Sequence, residues 1–327
     1  MDRRTVLRGA AAGALAGAGS MFGLAAEPTA PAAARTSKLY MLGTQAGPSV
    51  GGARYQTSYA ITVGDDIYVV DCGYGATEQL VRAGLKLPNI RDIYITHHHP
   101  DHNIELGTLI YFSWYAGKEG ELGIYGPPPL RQITQDYLKA LKPDIDVWLD
   151  DIGHKPLEPI TLHELSKEGP VMQDANVKVR CTVVNHPPVV PALAYRFDVP
   201  DRSIVFSGDT TPMESLAKLA KGADILVHEA IYADAMRRSL NSTDARASGT
   251  TAGSSIAGDA DKLLQHILRA HTKPEDAGRI AQEAGVKTLV FAHISPVPPQ
   301  VTEKMYIDKA ATTFKGEIIV AHDLMVL

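Results

Sequence analysis

The sequence is poor in cysteine, in long apolar runs and in excess positive charge, and each shortage argues against a class of protein. Two cysteines in 327 residues are too few for a disulfide framework. A net charge of -5 argues against nucleic acid as a partner, because surfaces that bind nucleic acid are usually basic. Beyond the N-terminal region no run reaches about 18 apolar residues, so we expect no stable membrane insertion. The 45% hydrophobic content instead predicts a soluble protein with a large core.

The first 34 residues differ in composition from the rest of the chain. Arg3, Arg4 and Arg8 precede a weakly apolar run of alanine, glycine and leucine, and the arginine pair resembles a twin-arginine export signal. A frayed alanine-rich helix is the alternative interpretation. We therefore expect residues 1–34 to be an export signal and spacer, and residues 35–327 to form one domain. The signal predicts export through the twin-arginine machinery to a periplasmic or secreted location.

Short β-branched runs alternate with helical patterns along residues 35–327. Strands are predicted at SYAITV, IYVVD and RDIYIT in the first half, and at VKVRCTVV, ALAYRFDV, SIVFSGD, DILVHEA, KTLVFAH and GEIIVAH in the second. A helix is predicted near residues 130–141, followed by an irregular aspartate-rich stretch that reaches Asp151. Residues 241–260 lack an apolar period and are expected to form a loop. Two halves of this kind predict two packed β-sheets with helices outside.

Four histidines and one aspartate follow the predicted strand RDIYIT, in the stretch THHHPDHN. His97 and His99 stand two residues apart in a tight loop and can point the same way, whereas His98 is expected to point elsewhere. Asp101 and His102 begin the next helix and can face the same centre from another side. These nitrogen and oxygen donors suit zinc, iron or manganese, so the stretch predicts part of a metal site.

Further potential ligands stand directly after other predicted strands. His186 follows RCTVVN, Asp209 follows SIVFSG and His293 follows KTLVFA. A single histidine in such a place is usually structural, but together with the histidine-rich loop these residues predict a shared metal centre. Asp71 ends the strand IYVVD, where it either caps the next turn or orients a ligand imidazole.

The motifs THHHPDH, NHPP, SGDT and FAHISP resemble, in this order, the ligand motifs of the metallo-β-lactamase superfamily. The segments VVDCGYGATEQL, ILVHEAIY and AHTKPEDAGRIAQEAGVKTLVFAHISP are similar to its ribonuclease Z and arylsulfatase-like branch. The resemblance covers roughly residues 38–327. It implies an α/β fold, the αβ/βα sandwich of two mixed β-sheets flanked by helices.

The resemblance also implies two divalent ions, expected to be zinc, with iron or manganese as alternatives. A water between the two ions would lose a proton near neutral pH and attack an ester. The implied ligands of the first ion are His97, His99 and His186, those of the second are Asp101, His102 and His293, and Asp209 would bridge both ions.

The remaining implied residues act beside the ions. Asp101 is expected to serve in catalysis as well as in metal binding, and Asp71 to orient a ligand. His271 matches a histidine of the branch that protonates the leaving oxygen. His228 and Glu229 are expected to support the site, with Glu229 as a partner of His271.

The expected activity is hydrolysis of small anionic esters by an exported arylsulfatase or phosphodiesterase. Processing of tRNA is not expected, because this chain has an export signal and an acidic middle segment. A lactonase or β-lactamase-type hydrolase is the alternative, and a metal-binding protein without catalysis is a lesser one. The expected partner is a small-molecule ester and not nucleic acid, and a homodimer is compatible with the sequence. The segment 232–270 is expected to overhang the site and select the substrate.

Overall fold

The chain forms two seven-stranded mixed β-sheets, each covered on its outer face by helices. The computed structural model describes residues 36–48, 50, 53–241, 260–296 and 301–327. Residues Arg35–Leu327 make up one compact unit, and the predicted export signal at 1–34 lies outside the described residues. The sandwich predicted from the sequence is confirmed.

The first sheet has the strand order β14-β1-β2-β3-β4-β5-β6, and the second has the order β13-β12-β11-β10-β9-β8-β7. The strands of the first sheet are β1 Ser37–Gly43, β2 Ser58–Val63, β3 Asp66–Cys72, β4 Ile90–Tyr94, β5 Leu122–Gly126, β6 Ile160–Glu164 and β14 Met325–Val326. Those of the second are β7 Gly169–Gln173, β8 Lys178–His186, β9 Val189–Asp198, β10 Ser203–Phe206, β11 Ile225–Ile231, β12 Thr288–Ser295 and β13 Glu317–Val320.

The two sheets repeat one pairing pattern. Read from β14, the first sheet has three antiparallel pairings followed by three parallel ones, and the second sheet has the same succession when it is read from β7. In both halves the parallel strands therefore send their carboxyl ends toward one edge of the sheet, where ligand-binding side chains of open α/β sheets usually stand.

Helices and one short 3-10 turn connect the strands. The helices within the described residues are α1 Ala76–Arg82, α2 Pro100–Asn103, α3 Leu106–Tyr115, α4 Leu130–Asp150, α5 Glu214–Leu219, α6 Ala233–Asn241, α7 Ala260–Ala270, α8 Pro274–Ala284 and α9 Glu303–Ala310, with the 3-10 turn at Leu87–Asn89. None of the helices in these described ranges is both long and apolar enough to cross a membrane. Most of the segment predicted as a loop at 241–260 lies outside the described residues.

Helix α4 is longer than the sequence pattern predicts. The prediction of an irregular stretch after residue 141 is wrong, because the helix continues through Pro143 to Asp150. A proline removes one helical hydrogen bond, but packing can offset that loss. Ile145 is buried on the far side of the proline, and Lys142 and Asp146 form an i,i+4 ion pair across it at 2.6 Å.

The space between the sheets is filled mainly by aromatic and branched side chains from both. Tyr94 on β4 lies at ring-centroid distances of 5.0 Å from Tyr125 and 4.9 Å from Phe197, so it packs against both sheets. Both cysteines are free and buried. The hydroxyl of Tyr195 donates a hydrogen bond to the carbonyl of Ile95 at 2.9 Å, whereas the hydroxyl of Tyr94 is buried without a partner among the described residues.

These two tyrosines give a matched test of the inter-sheet core. We expect Tyr94→Phe to raise the free energy of unfolding by about 1 kcal/mol, because it removes a buried hydroxyl that makes no hydrogen bond. Tyr195→Phe deletes a satisfied hydroxyl and is expected to lower it by about 1 kcal/mol. Urea denaturation of both variants checks the signs, and equal losses of stability in the two would contradict this description of the core.

Candidate metal centre

The candidate ligands collect where the carboxyl ends of the parallel strands of both sheets meet. His97 follows β4 and Asp209 follows β10, while His293 lies on β12 and His186 ends the antiparallel strand β8. The helix α2 then presents Asp101 and His102. The side chains of these six residues are buried, whereas that of the remaining candidate ligand, His99, is only partly buried. Residues that are distant in the chain thus share one site.

The first ligand group joins three imidazoles with the carboxylate of Asp209. His99 Nδ1 lies 3.0 Å from His97 Nε2 and 3.2 Å from His186 Nε2. Asp209 Oδ2 lies 3.8 Å from both of those Nε2 atoms. One donor atom from each of the four residues lies within 4.8 Å of the others. Converging imidazole and carboxylate donors of this kind are typical of a zinc-type site.

The second ligand group lies on the other side of the same aspartate. Asp101 Oδ2 is 3.6 Å from His102 Nε2 and 3.3 Å from His293 Nε2. Asp209 places Oδ1 3.4 Å from His102 Nε2 and Oδ2 3.2 Å from His293 Nε2. Asp209 therefore stands between the two groups, and its role as a bridging ligand stays a prediction.

The donor set fits divalent cations. His102 Nε2 and Asp209 Oδ1 are buried and have no hydrogen-bond partner within the described part of the chain, so the protein itself leaves both atoms for a ligand. Burial, with a contribution from His102, lowers the pKa of His97 well below its ordinary value, so this imidazole is neutral as metal binding requires. Imidazoles with carboxylates suit zinc, iron and manganese alike, and the identity and number of ions stay predictions.

The charges of the side chains in the cluster also favour a bound cation. Burial opposes ionisation of Asp209, but His293 and His102 outweigh it and hold the pKa of this carboxyl well below its ordinary value. Burial likewise opposes a charge on His102, yet Asp209 and Asp71 outweigh it and raise the pKa of its imidazole. Ionised carboxylates thus surround this ring, and such surroundings favour a cation.

Asp71 holds His102 in one orientation. Its Oδ2 lies 2.7 Å from His102 Nδ1, and its two oxygens accept hydrogen bonds of 2.8 Å from the backbone N–H and the hydroxyl of Thr96. With Nδ1 bound to Asp71, Nε2 of His102 faces the second ligand group. Asp71 and His293 have φ values of 56° and 50°, a conformation that costs energy outside glycine and is found mainly at functional sites.

Two supporting residues were missed in the sequence. The backbone N–H of Gly47 donates to Asp101 Oδ2 at 2.7 Å, and a Cβ at this position would lie 2.3 Å from the Asp101 carboxyl carbon. Only glycine therefore fits. The second missed residue is Thr96, whose backbone N–H and hydroxyl donate hydrogen bonds to the Asp71 carboxylate. Gly47 gave no signal because it stands 54 residues from its partner, outside any ligand motif.

His271 lies beside the cluster and is held by Glu229, as the sequence suggested. Its Nδ1 is 3.1 Å from Glu229 Oε1 and 3.9 Å from Asp209 Oδ2. Glu229 Oε1 also accepts hydrogen bonds from the backbone N–H groups of Thr210 and Thr272, at 3.1 and 3.2 Å. Burial opposes a charge on His271, but Glu229 and Asp209 raise its pKa to about 9.

His228, His271 and the end of helix α7 lie next to the two ligand groups. His228 is fully buried with Nδ1 2.7 Å from the Glu229 carbonyl, and it belongs to neither ligand group. His271 can approach Asp209 and His293 closely enough to form a third group of potential ligands. The carbonyl of Ala270, the last residue of α7, lies 3.0 Å from His186 Nδ1, so the end of the predicted overhanging segment contacts a ligand.

The fold and this site together define a metallo-β-lactamase-type hydrolase, and comparisons with known proteins agree. A family model described as "Anti-Pycsar protein Apyc1" matches residues 37–239. Ribonuclease Z of Mycobacterium bovis (strain BCG / Pasteur 1173P2) is 30% identical over 293 residues, covering 88% of this chain and 96% of the relative.

Two solved structures share the fold. The metallo-β-lactamase fold protein YhfI from Bacillus subtilis has a TM-score of 0.64 at 19% identity, covering 89% of this chain and 98% of YhfI. The short form of human tRNase Z has a TM-score of 0.63 at 22% identity with the same coverage. The chain belongs to the metallo-β-lactamase superfamily, within its ribonuclease Z-like and Apyc1-like hydrolases.

The histidine loop offers a matched test of the ligand groups. His98 points away from them, with Nε2 2.7 Å from the Pro127 carbonyl and Nδ1 2.8 Å from Asn103 Nδ2. We expect His99→Ala to reduce the zinc content from about two ions per chain to about one, because it removes a donor of the first group only. His98→Ala is the control and is expected to keep about two. Elemental mass spectrometry after dialysis measures both, and equal zinc contents in the two variants would contradict the grouping.

Proposed function

We propose that this hydrolase cleaves small phosphodiesters at a centre that holds two divalent ions. The first ion would be held by His97, His99, His186 and Asp209, and the second by Asp101, His102, His293 and Asp209. Bound there, the ions would supply an activated water and stabilise negative charge on the phosphoryl oxygens. Phosphodiester chemistry is supported by the ribonuclease Z relative, since a ribonuclease cleaves the phosphodiester bonds of RNA.

One observation carries the proposal, the position of His271. Glu229 holds Nδ1 of this imidazole 3.9 Å from Asp209 Oδ2, next to the shared carboxylate of both ligand groups. No hydrogen bond among the described residues occupies its Nε2, which leaves that atom for a substrate. The Glu229 carboxyl group beside Nδ1 favours the protonated ring, and a protonated imidazole can give its proton to a departing alkoxide oxygen.

A small substrate is supported by the residues that flank the ligand segments. Tyr74, Ile104 and Val190 are 50%, 43% and 81% exposed, and they follow Asp71, His102 and His186 by two to four residues. Exposed apolar side chains at such places suit a nonpolar ester group. A polyanion such as tRNA is usually held by lysine and arginine, and the net charge of the chain is -5.

RNA is the second candidate substrate, and it rests on the relatives. The Mycobacterium bovis ribonuclease Z aligns over 96% of its own length, so similarity to that protein extends well beyond the metal ligands. Sulfate esters and lactones are further substrates that the same donor set could accept, and the relatives named above do not support them. Export through residues 1–34 to the periplasm or medium likewise stays a proposal that rests on the sequence.

Substitution of His271 tests the proposed chemistry. We expect His271→Ala to lower the turnover of an alkyl phosphodiester by about 100- to 10,000-fold, because an alkoxide needs a proton to depart. Turnover of bis(4-nitrophenyl) phosphate should fall much less, since nitrophenolate departs without one. His154→Ala is the control, because this half-buried histidine belongs to neither ligand group and its ring nitrogens lie 3.0 and 3.2 Å from backbone carbonyl oxygens.

The same assay separates the alternatives. Equal losses on both phosphodiesters would exclude proton donation by His271 and leave it a structural role. Faster cleavage of a precursor tRNA than of any small ester would favour the second candidate. Turnover confined to nitrophenyl sulfate or to a lactone would contradict the phosphodiester proposal.

A further inference from the structure

A second concave site lies at the end of the sandwich opposite the metal centre. This cavity has a volume of about 620 Å³ and opens beside the first residues of β3, β4 and β5 and the last residues of β7. Asp92 on β4 lines it, whereas His97 follows the other end of the same strand. Five residues of extended chain span roughly 16 Å, so the cavity is separate from the ligand groups.

Asp92 is a buried carboxylate that lines this cavity. The side chain is 7% exposed, and the hydrogen bonds and ion pairs of the described residues do not include its carboxylate. It lies over Gly123, its register partner on β5, where a Cβ would come within 2.2 Å of Asp92 Oδ1. Burial raises the pKa of Asp92 to about 6, because the charged carboxylate is poorly solvated at this position.

The other charged groups of the cavity are mostly engaged. Arg91 Nε pairs with Asp174 Oδ2 at 2.9 Å, and Lys118 Nζ donates to the Ile90 carbonyl at 2.7 Å. Six carboxylates and two cations line the cavity, so its net charge is strongly negative. The carboxylates are those of Asp65, Asp66, Asp92, Glu119, Glu121 and Asp174, and the cations are Arg91 and Lys118. Arg91 and Lys118 lower the pKa of Asp92 from a distance, but neither forms an ion pair with it, so a ligand that carries its own positive charge would supply the missing contact.

We propose that this cavity binds an organic ammonium ligand, an aliphatic diamine or polyamine whose terminal nitrogen pairs with Asp92. Met172 and Tyr125 supply apolar surface for the methylene chain. A metal ion suits the cavity less well, because the groups of three or more metal-type donors found among the described residues all lie at the metal centre. The cavity is also far larger than one ion, whereas its volume is in the range of small-molecule sites.

Spermidine binding to the full-length protein tests this site. Isothermal titration at low ionic strength is expected to show one spermidine per chain, and Asp92→Asn should weaken its binding at least tenfold by removing the charge without changing the shape. Asp308→Asn is the matched control, since the same change at an exposed aspartate on α9 should leave affinity unchanged. The neutral analogue 1,6-hexanediol should not bind.

Two results would overturn the proposal. One is the absence of spermidine binding by the wild-type protein up to about 1 mM. The other is equal binding by wild type and Asp92→Asn, which would show that general surface charge attracts the polyamine. Thermal melting of Asp92→Asn confirms that the variant is folded when it is titrated. Neither result bears on the metal centre, so this site and the proposed function can fail independently.

Discussion

The burial of the Asp209 carboxylate is the constraint on which the rest of the site depends. An ionised carboxylate that is 2% exposed is costly unless positive charge or donors surround it. Here both oxygens face imidazoles, at 3.4 Å to His102 and 3.2 Å to His293. Those imidazoles reach Asp209 from α2 and from β12, in different halves of the chain, so the site exists only when the two sheets pack in this register.

The fold meets this constraint by using the same strand pattern twice. Each sheet ends in parallel strands whose carboxyl ends face the site, and the ligands stand on the segments that leave those ends. Energetically unfavourable backbone at Asp71 and His293 is held by the packing around it. The rigid sandwich can therefore position ligands that a flexible loop could not hold within hydrogen-bond distances.

The sequence predicted much of the fold, because His97, His186, Asp209 and His293 each stand directly after an apolar run. The strands that carry His97, Asp209 and His293 were found from β-branched residues alone, and the convergence of their ends follows from a parallel sheet. Gly47 was not predictable, because its role depends on a close approach to Asp101 across the fold. The predicted helix ended too early, before Pro143, because local propensity takes no account of the burial of Ile145. The cavity at Asp92 was also missed, because one aspartate in a strand has no periodic signal.

Anomalous diffraction from crystals of the zinc-loaded protein, recorded on both sides of the zinc edge, would show whether two ions share Asp209. We expect two peaks flanking Asp209, one within bonding distance of His97, His99 and His186, and the other near Asp101, His102 and His293. A single peak, or zinc bound away from Asp209, would contradict this expectation.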